Sequence, residues 1–562
     1  MLGSMGSVPH PSVRDRLAKL APDQRAAATA EDGPVLCVAP AGSGKTTTLV
    51  ARVAWLVDRG VVASSITVVA FNKRAAEELV ERLDAALLPL GCEAGSVRVR
   101  TFHALGREIL AESGVDVSAL ADRDVVLRAL YPEMPAADRG RLDLAFSRLK
   151  LDLRVRIEDV AADATAGPVA RAWVAYERAL ADDGALDFDD LVLRALGVLD
   201  ADAAALATWR TRCTQLLVDE AQDLDRSQLD LALRLAAPSN RIFLVGDDDQ
   251  TVYSWRLADV RRVLSLASAL PGLRRVDLET NYRCPPTVVT RAVRLVEHNH
   301  ERFAKRIVSG PRNAGRLVLA PDASDDVVRV GRAMRSWPDD GGTRAVLART
   351  NRELLVPVAV AVAEGWAFRA PDLALPVEDP RLDGLLDRAM DVDAAGSSRA
   401  SPLVALGRLR AACREVEASA AEPADPDRPT EGDLVTALLG WAAPLPSLAA
   451  LRAAVIAWRE RLAALRRDDA PLTLATAHGT KGLEWDHVVV LADGFPGRRS
   501  VSDAAEPERA LEEERRLAYV AWTRTRRSLT LLFDPAAPSR FLLEAFEPDE
   551  LGLATEADRH AA

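Results

Sequence analysis

The sequence predicts an α/β protein with two parallel-sheet regions, each carrying a mainly helical insertion. Short apolar runs recur in both halves and alternate with amphipathic stretches, as buried parallel strands and their covering helices do. Two long stretches, 108–200 and about 376–470, have helical periodicity and no clear strands. A chain of 562 residues is long enough for about three or four such domains.

The composition restricts the class of protein. The net charge of −11 does not give the electrostatic footprint of a nucleic-acid binder, so any such site must be a local groove. The five cysteines form no CxxC pair and have no spacing suited to a metal or a disulfide. Without an apolar signal region or a bilayer-length run, we expect a soluble, cytoplasmic protein with no membrane partner.

Lysine is rare in this chain, because arginine supplies nearly every positive charge. The six lysines are Lys19, Lys45, Lys73, Lys150, Lys305 and Lys481. A lysine retained against this background is a candidate for a position that needs a compact ammonium group.

The first predicted strand, residues 35–38, runs into a glycine-containing loop and then an amphipathic helix. Strand, loop and helix in this order are the context of a phosphate-binding loop, whose backbone N–H groups and helix dipole hold phosphate oxygens. Lys45 would reach the β- and γ-phosphates, and the Thr46 hydroxyl would bind Mg²⁺. The strict pattern begins with glycine, where Ala39 stands here, and the alternative is an ordinary glycine turn. The predicted nucleotide-contacting residues of the loop are Ala39, Pro40, Ala41, Gly42, Ser43, Gly44, Lys45, Thr46 and Thr47.

The same sheet is predicted to continue with strands at 66–70, 97–100, 216–218 and 242–246. The strand at 216–218 ends in Asp219 and Glu220, and adjacent carboxylates at the tip of a buried strand are costly unless a cation or hydrogen bonds satisfy them. Opposite a phosphate loop, Asp219 is expected to face Mg²⁺ and Glu220 to act as base for the attacking water, with Thr46 and Glu220 beside the metal. A capped loop is the alternative. The carboxylates at 187–190 fit a solvated helix start as well as a functional role.

The second sheet region is predicted to hold strands at 316–320, 344–348, 472–475, 487–491 and 528–533. The resulting division assigns 16–107 and 201–281 to the first sheet domain, with 108–200 inserted. It assigns 282–375 and 471–545 to the second, with 376–470 inserted. Residues 1–15 and 546–562 are expected to be disordered.

Taken in chain order, eight motifs resemble those of superfamily 1 DNA helicases of the UvrD/Rep/PcrA type. The resemblance covers nearly the whole chain, and Ala39 at the first loop position is usual in that family. The phosphate loop reads Val-Ala-Pro-Ala-Gly-Ser-Gly-Lys-Thr. Beyond it and Gln24, the matching segments are 71–76, 101–103, 218–223, 245–256, 278–283, 476–485 and 512–524.

The resemblance implies two RecA-like motor lobes that bind ATP and Mg²⁺ between them. Lys45, Thr46, Asp219, Glu220, Gln250, Arg283 and Arg524 would then surround the triphosphate and metal. Tyr282 would stack on the base, Gln24 would read the adenine edge, and Glu484 would contact the nucleotide. The implied strand-binding groove comprises Phe71, His103, Tyr253, Trp255 and His478, where aromatic stacking is worth about 1–3 kcal/mol per base.

Three departures from the family pattern matter. Thr47 stands where an arginine is often found beside the nucleotide. Asn72, Lys73 and Arg74 replace the usual Thr-Asn-Lys. The second insertion is short and lacks the Gly-Ile-Gly element that relatives use near duplex DNA.

The resulting expectation is an ATP-dependent DNA helicase that moves 3′→5′ on single-stranded DNA and unwinds duplex junctions, in repair or recombination with a possible protein partner. One alternative is a translocase that strips proteins from DNA or needs a partner to unwind. The other is a nucleotide-gated DNA-binding module without turnover, against which Asp219, Glu220, Gln250 and Arg524 argue.

Overall fold

The computed structural model describes residues 9–553 except 152, 154, 255–256, 312, 372, 395–400, 420–429, 498–500 and 502–505. The chain divides into two compact units. Unit 1 runs up to Asn313 and includes Arg515–Tyr519, and unit 2 comprises Ala314–Glu514 and the residues from Val520 onward.

Unit 1 is built on a six-stranded, all-parallel sheet in the order β3-β2-β4-β5-β1-β6. Its strands are β1 Val35–Val38, β2 Ile66–Ala70, β3 Arg98–Thr101, β4 Gln215–Val218, β5 Ile242–Gly246 and β6 Arg274–Asp277. A separate two-stranded ribbon pairs β7, Thr280–Asn281, with β8, Val308–Ser309. Strands β1, β2 and β5 have their predicted bounds, because each is buried along its whole length and, apart from Thr67 in β2, carries no polar side chain.

Helices cover both faces of this sheet and enclose two apolar cores. The helices of unit 1 are α1 Pro11–Ala18, α2 Pro22–Ala28, α3 Lys45–Asp58, α4 Lys73–Leu87, α5 Phe102–Glu112, α6 Arg123–Leu130, α7 Ala136–Leu151, α8 Ile157–Ala162, α9 Pro168–Asp182, α10 Asp190–Ala201, α11 Ala203–Arg212, α12 Arg226–Ala236, α13 Val260–Leu264, α14 Leu266–Ala269 and α15 Pro286–Val296. Side chains cap several of them; among these, Asn72 accepts from the Ala75 N–H at the start of α4, and Thr101 from the Ala104 N–H at the start of α5.

The insertion between β3 and β4 is helical, as predicted, and α6 to α9 share a small core of their own. Beside this core, the Lys150 ammonium lies 2.7 Å from a Glu177 oxygen, 2.8 Å from Asp187 and 3.1 Å from Asp190. Asp187 and Asp190 are buried, so the interpretation of this stretch as a solvated helix start is wrong. Their carboxylates are satisfied by a buried cation instead of by water.

Unit 2 contains a second six-stranded, all-parallel sheet, in the order β11-β12-β10-β13-β14-β9. Its strands are β9 Arg316–Pro321, β10 Arg344–Ala348, β11 Phe368–Arg369, β12 Leu472–Thr476, β13 Trp485–Leu491 and β14 Thr525–Phe533. Its helices are α16 Asp326–Arg335, α17 Leu355–Glu364, α18 Arg381–Ala394, α19 Pro402–Ser419, α20 Glu431–Ala442, α21 Leu448–Leu465, α22 Pro507–Trp522 and α23 Arg540–Ala545. One apolar core joins one face of the sheet to the inserted helices α18 to α21.

The division into units differs from the sequence-based division at residues 282–313, which belong to unit 1. The ribbon of β7 and β8 and the buried side chain of Lys305 hold this segment against unit 1. Only five residues of α22, Arg515–Tyr519, are assigned to the same unit.

The expectation of disordered ends is wrong for the described residues near each terminus. Helix α1 starts at Pro11 because Val13 and Leu17 are buried in the core of unit 1. Near the other end, Phe546 and Leu551 are also buried. Residues 1–8 and 554–562 lie outside the described part of the chain.

Across the described ranges, no helix combines the length and the apolar character that crossing a membrane requires.

Candidate nucleotide site and strand-binding surface

Three neighbouring strands of unit 1 bring the predicted catalytic segments together. Strands β4, β5 and β1 are adjacent and parallel, so their carboxyl ends meet at one edge of the sheet. Asp219 follows β4, Asp247 follows β5, and Ala39 follows β1. Ligands of open α/β sheets bind at this edge, which makes it the candidate nucleotide site.

The loop after β1 has the backbone of a phosphate cradle. Gly42 and Gly44 have φ values of 67° and 84°, which side chains rarely tolerate. A Cβ on Gly42 would lie 2.7 Å from the Arg283 Cβ, and one on Gly44 would lie 2.6 Å from the Gln24 Nε2. Between them, the buried Ser43 hydroxyl has no hydrogen-bond partner among the described residues. These features fit an anion held by backbone N–H groups, and an ordinary glycine turn does not require them.

Lys45 and Gln24 both contact this loop. The Lys45 ammonium donates to the Ala39 carbonyl at 2.9 Å, so it spans the loop from the first turn of α3. Gln24 is buried. Its amide donates to the Ser43 carbonyl at 2.8 Å and accepts from the Ala21 N–H at 3.1 Å. Thr46 is half-buried and Thr47 is exposed at the start of α3.

Glu220 stands in a strained backbone conformation at the tip of β4. Its φ of 51° and ψ of 46° place a non-glycine residue in the left-handed region, which costs about 1–3 kcal/mol and is concentrated at functional sites. The neighbouring Asp219 is buried and accepts from the Glu220 N–H at 3.0 Å. Two carboxylates therefore lie at the sheet edge that also holds the phosphate loop, where they can bind a divalent cation and orient water.

A hydrogen-bonded chain connects Glu220 to Gln250. The Gln222 amide donates to the Glu220 carboxylate at 2.6 Å, and its oxygen accepts from the Asp247 N–H at 3.0 Å. The Asp247 carboxylate accepts from the Gln250 amide at 2.7 Å. The segments of Glu220 and Gln250, both expected beside the triphosphate and metal, are thus joined within unit 1.

Three consecutive buried carboxylates, Asp247, Asp248 and Asp249, surround the fully enclosed ammonium of Lys305. Burial by itself would lower the pKa of Lys305, but the three carboxylates raise it well above its usual value. Burial likewise tends to raise the pKa of Asp249, but Lys305 and Arg302 lower it to about 2. For Asp248, burial prevails and raises the pKa.

A turn after β7 places Tyr282 and Arg283 beside the phosphate loop. The Tyr282 N–H donates to the Gly42 carbonyl at 2.8 Å, while the Tyr282 side chain is 45% exposed and available for stacking. The buried Asn281 side chain fixes the turn by accepting from the Arg283 and Cys284 N–H groups, each at 2.8 Å.

Two stacked aromatic pairs include the predicted strand-binding residues of unit 1. The Phe71 and Tyr253 rings stack with centroids 5.4 Å apart, and both side chains are half-buried, so Tyr253 is not a core residue. His103 stacks on Phe188 at 3.9 Å, and Phe188 is 57% exposed. Trp255 lies outside the described residues.

Unit 2 carries the remaining predicted residues. Arg524 is buried, and its guanidinium donates to the Val520 carbonyl at 2.9 Å. Glu484 lies 3.5 Å from Arg526. Burial, and then the Arg349 guanidinium, lower the pKa of His478 to about 4, so its imidazole is neutral at pH 7.

Sequence reasoning assigned no role to several residues that the structure brings into the site. Asn281 and Gln222 lie inside quoted motifs but had no function attached, because a hydrogen bond to a nearby backbone leaves no pattern in the sequence. The sequence singled out Lys305 only because lysine is rare in this chain, and it gave no indication of a role for Phe188.

Comparison with known proteins identifies the family of this chain. The model of the UvrD/REP helicase N-terminal domain matches residues 20–271, and that of the UvrD-like helicase C-terminal domain matches 458–534, together more than half of the chain. DNA helicase II of Escherichia coli K12 is 27% identical over 91% of this chain and 84% of its own length. ATP-dependent DNA helicase PcrA of Staphylococcus aureus Mu50 is 29% identical over 52% of this chain and 42% of its own. With both domain models matched in order on two parallel-sheet units, the chain belongs to the UvrD/Rep/PcrA type of superfamily 1, a family of ATP-dependent DNA helicases.

Proposed function

We propose that this chain is an ATP-dependent DNA helicase that moves 3′→5′ on single-stranded DNA and unwinds duplex junctions. The observation that carries the proposal is the shared edge of β4, β5 and β1. There, a glycine cradle, whose Ser43 hydroxyl has no hydrogen-bond partner in the described part of the chain, lies at the same sheet edge as the linked Glu220 and Gln250. A nucleotide-binding module without turnover would not need the hydrogen-bonded link between Glu220 and Gln250.

In this proposal the loop residues 39–47 hold the phosphates of ATP, with Lys45 moving from the Ala39 carbonyl to the β- and γ-phosphates. Thr46 and Asp219 would hold Mg²⁺, with Glu220 beside it, and the ion would supply neutralising charge to the transferred phosphoryl group. Glu220 accepts a proton from the attacking water, and Gln250 orients that water. Gln24 reads the adenine edge, Tyr282 stacks on the base, and Glu484 contacts the nucleotide.

Single-stranded DNA is proposed to bind along the aromatic residues of unit 1. The exposed Phe188, with His103, and the Phe71–Tyr253 pair present ring faces on which bases of any identity can stack. In the proposal, Trp255 and the neutral His478 also contact the DNA strand. Stacking by uncharged rings also explains how a chain with a net charge of −11 can bind a polyanion.

A role in DNA repair or recombination, with a partner protein, follows from the family and is part of the proposal. The compact second insertion, whose described helices are α18 to α21, favours one alternative. A small insertion offers little surface for duplex DNA, which suits a single-strand translocase that removes proteins or unwinds only with a partner.

The test compares unwinding of duplexes with a 3′ or a 5′ single-stranded tail by the full chain with ATP and Mg²⁺. The proposal expects strand separation only with the 3′ tail. DNA-stimulated ATP hydrolysis without strand separation would favour the translocase, and absence of hydrolysis would leave only the binding module. Separation that requires a 5′ tail would refute the proposed direction.

A further inference from the structure

Lys305 is fully enclosed, and its ammonium is shared by three carboxylates. It lies 2.8 Å from an Asp247 oxygen, 2.5 Å from Asp248 and 3.0 Å from Asp249, and none of these side chains is exposed. Arginine provides nearly all other cations of the chain. A compact ammonium fits among three carboxylates, where a planar guanidinium would not.

The three carboxylates differ in their second partners. Asp249 is paired with the Arg302 guanidinium at 2.8 and 3.0 Å, and Asp248 accepts from the Phe303 N–H at 2.8 Å. In the described part of the chain, the hydrogen bonds of Asp247 lead instead to the hydrolysis site. Its second oxygen, Oδ2, accepts from the Gln250 amide at 2.7 Å.

Asp247 is also the junction to Glu220. Its N–H donates to the Gln222 oxygen at 3.0 Å, and the Gln222 amide donates to Glu220 at 2.6 Å. One buried ammonium therefore fixes the residue from which both the water-orienting amide and the proposed base are held.

We propose that Lys305 is a positioning residue for ATP hydrolysis, which acts through Asp247 on Gln250 and, through Gln222, on Glu220. This inference rests on the proposed function. It differs from simple charge neutralisation, in which Lys305 only offsets the carboxylates and any change that restores the charge balance would suffice.

Two variants separate these roles. Lys305→Met removes the ammonium at similar length, and Lys305→Met combined with Asp248→Asn restores the net charge of the cluster without changing Asp247. The double variant is expected to recover most of the melting temperature lost by Lys305→Met. Its kcat for ATP hydrolysis at saturating DNA should stay about 100-fold below wild type, the loss typical of a small misplacement of catalytic groups. Affinity for a fluorescent ATP analogue should change less than threefold.

Lys150→Met provides the matched control, because Lys150 is another buried lysine shared by three carboxylates. It lies in the helical insertion, so its loss should lower the melting temperature and leave DNA-independent turnover unchanged. If the Lys305 double variant does not fold, the single variants Asp247→Asn and Asp248→Asn distinguish positioning from charge neutralisation. They make the same chemical change beside the same ammonium, but only Asp247→Asn should slow hydrolysis.

Amide hydrogen exchange gives a readout that does not need activity. In the double variant, residues 248–251 should exchange faster than in wild type at an equal melting temperature. Wild-type kcat in the double variant, or equal rates for the two aspartate variants, would overturn the role of Lys305. If wild type itself does not hydrolyse ATP, the proposed function fails, and unchanged exchange at 248–251 would then overturn this inference separately.

Discussion

At the scale of single residues, the lysines show how composition and structure inform each other. Lys45 binds a loop carbonyl, and Lys150 and Lys305 are each enclosed by three carboxylates. The rarity of lysine therefore indicated positions where an ammonium group makes specific contacts in the structure. It failed at Lys73, whose side chain is 90% exposed and pairs only loosely with Glu77. Rarity marks candidates, and burial decides among them.

Replacement of Lys45 tests the proposed phosphate contact. Lys45→Ala should abolish ATP turnover, because an ammonium on the β- and γ-phosphates stabilises charge that develops in the transition state. Lys45→Arg should fail as well, since a planar fork does not replace a compact charge in that loop. Steady-state ATPase assays check this, with the exposed Lys19→Ala as control. Near-normal turnover by Lys45→Arg would contradict the assigned role.

Tyr253 tests the strand-binding surface. Tyr253→Ala should weaken single-strand binding by about 1–3 kcal/mol with little dependence on base sequence, because it removes a stacking face. Tyr253→Phe keeps the ring that stacks on Phe71 and should bind almost as wild type. Fluorescence anisotropy with labelled oligonucleotides measures both. Equal affinities for the alanine and phenylalanine variants would show that the ring does not contact DNA.

At the scale of elements, the helices and strands that could be predicted were those with a clear apolar pattern in the local sequence. Strands β1, β2 and β5 could be predicted to the residue because buried parallel strands are nearly continuous apolar runs, interrupted here only by Thr67 in β2. Strand β4 begins one residue earlier than predicted, at the polar Gln215, which is nonetheless buried. The turn at 281–284 and the β7–β8 ribbon had no apolar pattern, so their role beside the phosphate loop depended on contacts far apart in sequence.

The turn after β7 yields a prediction at this scale. Asn281→Ala removes the side-chain acceptor of the half-buried Arg283 N–H and of the buried Cys284 N–H, at a cost of about 1–3 kcal/mol. Because Tyr282 and Arg283 lie beside the phosphate loop, nucleotide affinity should fall together with the melting temperature. Titration with a fluorescent ATP analogue measures the affinity. As a control, Asn72→Ala removes the cap of α4 and should lower stability alone. Wild-type nucleotide affinity in the Asn281→Ala protein would contradict the role of this turn in nucleotide binding.

At the scale of the whole molecule, the duplicated plan was readable from the sequence: two parallel sheets, each with a helical insertion. The assignment of residues 282–313 was not, because it depends on the burial of Lys305 and on the β7–β8 pairing. One consequence is functional. Arg283 belongs to unit 1 with the phosphate loop, so Arg524 is the stronger candidate for an arginine supplied by unit 2.

Arg524 tests whether unit 2 completes the hydrolysis site. We expect Arg524→Ala to lose most DNA-stimulated turnover, since arginines that stabilise phosphoryl transfer are worth on the order of 10³–10⁵ in rate. Nucleotide affinity should fall much less. Arg524→Lys should rescue little, because contact with two phosphate oxygens needs the guanidinium fork. ATPase titration beside analogue binding distinguishes the two effects. If both variants keep wild-type stimulated turnover, another group of unit 2 must trigger hydrolysis.

The central claim is that ATP is hydrolysed at the β4–β5–β1 edge and that single-stranded DNA stimulates this hydrolysis. The most direct test is to measure the steady-state ATPase rate of the full chain while an oligonucleotide is titrated in. Glu220→Gln is measured in parallel, because it retains shape and removes the proposed base. The account predicts that DNA accelerates wild-type hydrolysis several-fold or more, and that the variant binds the ATP analogue but shows no stimulated turnover. A wild-type rate that does not respond to DNA, or a Glu220→Gln protein that hydrolyses ATP as fast as wild type, would contradict it.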